Sequence, residues 1–264
     1  MCGIVGVVTH RSVSVAPFLL EGLKRLEYRG YDSAGIATLV GDEIHCEKVV
    51  GRVGQLQGVV DSGKLDSHIG IAHTRWATHG SPTLLNAHPH FDNKNRIAVV
   101  HNGIIENYAA LRELLIQKGH VFVSQTDTEI IPHLIAEFLD NGDHLMTAVQ
   151  KALEHLEGTF GLLILSKDDP YRLITARRGS PVVIGIGEEE YYVASDISAF
   201  VHATRQVIHL RDGEMAELTP TGYRTMTFSD VTTVREVDKI TWEIDAIEKG
   251  GYDHFMLKEI HEQP

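Results

Sequence analysis

"MCGIVGVVTH", residues 1–10, sets a cysteine directly behind the initiator methionine and ahead of an apolar run. Ile4 to Val8 reads as a short strand, and its near-continuous apolar character suits a sheet covered on both faces. A small apolar residue would serve as well in front of such a strand, so the thiol needs its own reason. Methionine is expected to be removed before a residue as small as cysteine, which leaves the α-amine of Cys2 within reach of its thiol. The amine titrates near ~8 and the thiol near ~8.5, so one residue supplies both nucleophile and base. Gly3 leaves room for a substrate to approach the backbone. Taken alone, the pattern also fits a small buried residue at a strand start.

The same apolar, strand-like character recurs at Ala34 to Val40, Ile71 to His73, Ile97 to His101, Phe160 to Leu165, Leu173 to Ala176, Val182 to Ile186, Tyr191 to Ala194 and Val207 to Leu210. Helices are predicted over Phe18 to Tyr28, Tyr108 to Lys118 and Leu145 to Leu156 from one-sided leucine stripes. Thr126 and Glu129 have the spacing of a capping box opening a helix to about Leu139, with Pro132 shifting or kinking its first turn. This mixture predicts an α+β layered domain. Beyond about Asp230 strand-like runs end, and a charged stretch leads through Gly250-Gly251 to "FMLKEIHEQP". Residues 231–264 are expected to be a linker and the start of a further, truncated domain behind a main domain of residues 1–230, the alternative being a tail docked on its own domain.

A net charge of -12 over 264 residues disfavours nucleic acid and anionic membranes as main partners. No segment offers the roughly 18 uninterrupted apolar residues of a membrane span. Cys2 and Cys46 are too few for a disulfide framework, so a reducing, cytoplasmic setting is expected.

Three further stretches carry chemistry. In "HTRWATHG", residues 73–80, Arg75 can clamp a carboxylate, with Thr78 and the backbone near Gly80 as further donors; it also reads as a surface ion pair beside a core Trp76. In "VVHNGIIEN", residues 99–107, Asn102 and the Gly103 N–H supply the donors an oxyanion needs, although Asn-Gly is equally a turn signal. In "SQTDTE", Asp127 serves either as a helix cap or as a partner for an ammonium group. His73, His79, His88, His90 and His101 match no usual zinc spacing and are expected to be core or solvated residues.

"MCGIVGV", "LEYRGYDSAGIA", "HTRWATHG", "NAHPH", "HNGIIEN" and "TDTE" occur together in the order and spacing of one family. Nearly the whole chain closely resembles the glutaminase domains of the glutamine-fructose-6-phosphate aminotransferase (isomerising) family. The resemblance implies a four-layer αββα sandwich of the amino-terminal-nucleophile hydrolase type. It implies Cys2 as nucleophile, its α-amine as general base, and Asn102 with Gly103 as oxyanion hole. Arg75, Thr78 and His79 would hold the α-carboxylate of glutamine, Asp127 its α-ammonium, and Trp76 would gate the ammonia path. Arg29 and "YRGYDSAG" look like a supporting element beside the nucleophile. No metal or organic cofactor is implied.

The partners implied are L-glutamine and, only through a missing sugar-isomerase domain, fructose 6-phosphate, in an enzyme that is a homo-oligomer at full length. Three rivals remain at the level of sequence. One is the glutaminase of an amidophosphoribosyltransferase-type enzyme, another a thiol hydrolase pairing Cys2 with His79 or His101, and the third a non-catalytic amino-acid sensor using Arg75 and Asp127.

Overall fold

A computed structural model of the chain describes residues 2–60, 64–77, 80–241, 252 and 255–262. Two antiparallel sheets dominate it. The first runs β15 (Asp238–Lys239), β11 (Gln206–His209), β9 (Val183–Ile186), β10 (Glu190–Ala194), β1 (Gly3–Thr9), β4 (Ile69–Arg75), β2 (Ser33–Val40) and β3 (Glu43–Val50). The second runs β14 (Thr232–Thr233), β13 (Gly222–Thr227), β12 (Glu214–Thr219), β8 (Leu173–Arg178), β7 (Gly158–Ser166), β6 (Ile97–Ile105) and β5 (His90–Phe91). Helices α1 (Ala16–Arg25) and α2 (Val53–Val59) cover the outer face of the first sheet, and α3 (Tyr108–Gln117), α4 (Ile130–Asp140) and α5 (Leu145–His155) that of the second. The result is the four-layer αββα sandwich.

Side-chain alternation builds the layers. Along β1, Val5 and Val7 join α1 in one apolar cluster, while Ile4 and Val8 join a second cluster lying between the sheets. On β6, Ile97 and Val99 face the helices, and Ala98 and Val100 face the other sheet. On β7, Phe160, Leu162 and Ile164 divide in the same way from Leu163 and Leu165. Strands buried on both faces need apolar residues at every position, which is why these segments are continuous apolar runs rather than alternating ones. The same period fixes where polar residues go. His73 and Arg75 share the parity of Ile69 and Ile71 on β4, and Asn102 that of Ala98 and Val100, so all three are delivered to the space between the sheets.

Several expectations are corrected. Strand β3, "EIHCEKVV", and the β12–β13 hairpin escape a search for apolar runs because charged and threonine residues interrupt them; β3 is an edge, where such residues are usual. Helix α2 was likewise unmarked, with only Val53 and Leu56 buried. The capping box does not form. Glu129 instead accepts the backbone N–H of Val123 (2.8 Å) and Ser124 (2.6 Å), and α4 starts at Ile130, which places Pro132 in the first turn where its missing donor costs nothing. Strands also continue past Asp230. β14 pairs with β13, β15 pairs with β11, Arg235 is ion-paired to Glu214, and Ile240 is buried in the cluster around α1. A last helix, α6, spans Phe255–Glu262, and the linker expected through Gly250-Gly251 lies outside the described residues. No helix among the described residues is long and apolar enough to cross a membrane.

Leu163 is fully buried between the sheets, its Cδ1 lying 2.7 Å from the place a Cβ on Gly6 would take. Truncation there leaves a cavity that neither rigid sheet can close. Leu163→Ala is expected to lower unfolding free energy by roughly 2–5 kcal/mol in urea titrations; a loss below about 1 kcal/mol would show that the sheets are not held by this layer.

Candidate active site

Cys2 lies just before β1, and β1 runs antiparallel to β4 with Gly3 opposite Thr74. The thiol therefore reaches the end of β4, where the Trp76 N–H donates to Cys2 Sγ (3.2 Å) and the thiol can donate to Trp76 O (3.5 Å). Residues 29–32 brace this junction. Arg29 Nε donates to Cys2 O (3.2 Å) while its Nη1 pairs with Asp196 (3.2 Å), and Asp32 accepts the Ala77 N–H (2.7 Å). Gly30 passes so close that a Cβ would stand 2.7 Å from Arg75 C and Trp76 N, so this position requires glycine. The segment expected to support the nucleophile is in contact with it.

The second sheet supplies the facing wall. Asn102 Nδ2 donates to Cys2 O (2.9 Å), using one of its two hydrogens and leaving the other without a partner among the described residues. Gly103 follows with φ 138°, and a Cβ there would lie 2.0 Å from Thr159 O, so the chain turns past the nucleophile only as glycine. Asp127 accepts the Ile105 N–H on Oδ2 (2.8 Å). One small cleft is lined by Cys2, Arg75, Trp76, Gly103 and Asp127 together with His88, His101, Thr126 and Thr128. Arg75 and Asp127, 52 residues apart in sequence, thus present a cation and an anion to the same space, as an α-amino acid requires. The Arg75 guanidinium also donates to Gly80 O (3.2 Å) and Ser81 O (3.4 Å). Trp76 is exposed at the rim, edge-on to Tyr31 at 5.7 Å. Thr78 and His79, also expected at the site, lie outside the described residues.

The histidines form a buried polar wall that sequence reasoning left as scattered core or solvated residues. His73 stacks on His88 (centroids 4.1 Å), which meets His90 edge-on (4.6 Å). Thr128 Oγ1 is shared by His88 Nε2 (3.0 Å) and His101 Nδ1 (2.9 Å), His101 Nε2 donates to Thr159 O (3.3 Å), and Thr126 Oγ1 meets His90 Nε2 (3.1 Å). The wall thereby holds residues 126–128, and Asp127 with them. The only sequence signal for it was the pairing of "NAHPH" with "TDTE", two polar stretches with no partner of their own. Both His101 nitrogens are committed here and neither to Cys2, which removes His101 as the base of a thiol hydrolase. Among the described residues no group of three or more His, Cys, Asp or Glu is disposed to hold a metal.

Burial sets the charge states. It pushes the Cys2 thiol up, partly countered by the Trp76 N–H and by the Arg75 and Arg29 cations. It lowers His73 to about 3, His88 and His90 well below the ordinary histidine range, and His101 below its usual value. Glu129 is lowered to about 2, its burial outweighed by hydrogen bonds from His133, Ser124 and Val123. The wall is neutral at physiological pH.

Residues 73–202 match a family described as a glutamine amidotransferase domain. Over all 264 residues the chain is 49% identical to a Clostridium perfringens protein named glutamine-fructose-6-phosphate aminotransferase (isomerizing), and 50% identical to the protein of that name from Symbiobacterium thermophilum. It covers 43% of each, so it spans less than half the length of these relatives. Its fold is similar to that of a solved glutamine phosphoribosylpyrophosphate amidotransferase from B. subtilis, with a TM-score of 0.74 and 28% identity over 88% of this chain and 50% of that one.

The neutral wall has a thermodynamic consequence. Folded-state pKa values below the unfolded value near 6.5 mean that the unfolded chain binds protons first, so stability is complete above about pH 6.5 and is lost as pH falls. Each wholly buried histidine contributes up to about 1.4 kcal/mol per pH unit, and Glu129 adds a loss in the same direction below about pH 4.5. Urea midpoints are expected to fall steadily from pH 7 to pH 5; equal midpoints would mean that these histidines are already charged in the fold.

Proposed function

We propose that the chain, freed of Met1, hydrolyses the side-chain amide of L-glutamine through a thioester on Cys2. The observation that carries this reading is the convergence of Cys2, Arg75, Gly103 and Asp127 on one cleft, with Asn102 bonded to the Cys2 backbone. The α-amine of Cys2 takes the thiol proton as Sγ attacks the amide carbon, and the tetrahedral oxyanion is held by the unpaired Asn102 Nδ2 hydrogen and the Gly103 N–H. The amine returns that proton to the leaving nitrogen, ammonia departs, and water cleaves the thioester to give glutamate and the free thiol. A base in the same residue suits a site whose surrounding histidines are neutral and poorly basic, His73 near 3. Arg75 binds the α-carboxylate, assisted by Thr78 and His79, and Asp127 binds the α-ammonium.

In the longer protein the ammonia passes under Trp76 to a sugar-isomerase domain, where it converts fructose 6-phosphate to glucosamine 6-phosphate. Strands β14 and β15 and the buried Ile240 belong to the present domain, so residues beyond Ile240 would be the linker and first part of that further domain, and the enzyme would act in the cytoplasm as a homo-oligomer. Identity of about half with proteins named for that activity, against 28% for the phosphoribosylpyrophosphate amidotransferase, supports the sugar as the acceptor.

Intact mass and glutamate release, measured on the chain beginning at Cys2 and on a version with one residue retained before it, test the amine's role. The free-amine form is expected to turn over glutamine, and the blocked form to lose about 100- to 10,000-fold, the usual contribution of a general base. Equal rates would transfer the proton to another base and overturn the mechanism.

A further inference from the structure

We propose that His73 is a positioning residue, whose Nε2–H, donated across the gap between the sheets, fixes the end of the Asn102 carboxamide that faces Cys2. The inference rests on the oxyanion role of Asn102 proposed above and deepens it. A carboxamide is nearly the same shape when turned over, but one face offers two N–H donors and the other only an acceptor. An oxyanion is stabilised by the first and repelled by the second. Something must therefore select the orientation.

The selection is visible in the hydrogen bonds. Asn102 Oδ1 lies 3.1 Å from His73 Nε2, and the same nitrogen lies 3.1 Å from His101 O. A ring nitrogen facing two oxygens must carry the proton, because a bare nitrogen would set three lone-pair sites against one another. His73 Nδ1 has no hydrogen-bond partner among the described residues, as suits the unprotonated atom of that tautomer. With its oxygen held by His73, Asn102 turns its nitrogen toward Cys2, where one hydrogen reaches Cys2 O (2.9 Å). No other donor to Asn102 Oδ1 exists among the described residues, so without His73 the amide is tethered from the Cys2 side alone.

The ring is itself held. His73 is fully buried on β4, between Ile4 of β1 and Gly35 of β2, and it stacks on His88. Proton counting assigns the neighbours too. His101 Nε2 faces the Thr159 carbonyl and must be N–H, so its Nδ1 accepts from the Thr128 hydroxyl. The Thr128 oxygen then accepts from His88 Nε2–H. Every proton in the chain has one place, and none of these rings needs a charge. His73 also joins the sheets, because β4 belongs to the sheet that bears Cys2 and β6 to the one that bears Asn102.

The test compares glutaminase kinetics and thermal melts of the processed wild type, His73→Phe, His73→Gln, Asn102→Ala and the double variant His73→Phe with Asn102→Ala. Loss of an outright oxyanion donor costs about 100- to 1000-fold in kcat. Loss of the group that orients such a donor is expected to cost roughly 10- to 100-fold, the range typical of supporting residues around a reactive centre. His73→Phe should show that loss in kcat with glutamine KM changed less than about threefold, since Arg75 and Asp127 are untouched. His73→Gln, which keeps an N–H donor, should recover most of it, and the double variant should be no slower than Asn102→Ala.

Wild-type kcat in His73→Phe, or losses that multiply in the double variant, would overturn the proposal. Should His73→Phe not fold, ring nitrogen shifts of wild-type His73 decide it: a protonated Nε2 supports the assignment, and a bare Nε2 contradicts it. Full activity in Asn102→Ala would instead sink the oxyanion reading, whatever the His73 variants do.

Discussion

The site depends on two sheets meeting face to face in one register. Cys2 sits just ahead of β1 and Arg75 ends β4 in the first sheet, while Asn102 and Gly103 lie on a strand of the second, so no single sheet carries the chemistry. Apolar packing between the sheets supplies attraction without direction, since hydrophobic contact tolerates sliding far better than a hydrogen bond does. Direction comes from the polar bonds at the edge of that layer, His73 to Asn102 and Asn102 to Cys2 O. A slip of one residue on β4 or β6 would carry His73 or Asn102 to the helical face and dissolve the site.

Burial shapes the chemistry as strongly as contact does. The same dry layer that makes the histidines neutral also makes the Cys2 thiol reluctant to ionise. Arg75 and Arg29 temper this for the thiolate, while the aromatic wall supplies donors and acceptors with no net charge. On the proposed reading, a glutamine substrate with one positive and one negative group would meet a fixed partner for each, and its neutral amide would be left facing the dipoles.

Much of this was legible in the sequence. Continuous apolar runs marked the strands buried on both faces, and motif order marked Cys2, Arg75, Asn102, Gly103 and Asp127, four of which line one cleft while the fifth bonds to Cys2. What escaped was either polar by necessity or assembled only in space. Strand β3 is an edge, and the β12–β13 hairpin alternates threonine and charge with its apolar residues, so neither announces itself by hydropathy. Thr126 and Thr128 look like ordinary residues before a helix until His90, His88 and His101 arrive from elsewhere in the chain. Glu129 shows the limit of local rules, for a spacing that suits a helix cap was taken up by the loop in front of it.

Chain ends ordinarily fray, because few bonds hold them. Here the second residue is moored at its carbonyl by Arg29 and Asn102, and at its sulfur by Trp76. The spacing from Cys2 to the first strand is thereby as constrained as any core volume. Inserting or deleting one residue between Cys2 and Ile4 would carry the sulfur to the opposite side of the sheet, and a Cβ on Gly3 would lie 2.8 Å from Leu26 Cβ and Thr74 Oγ1, so this short stretch tolerates neither a change of length nor a bulkier residue.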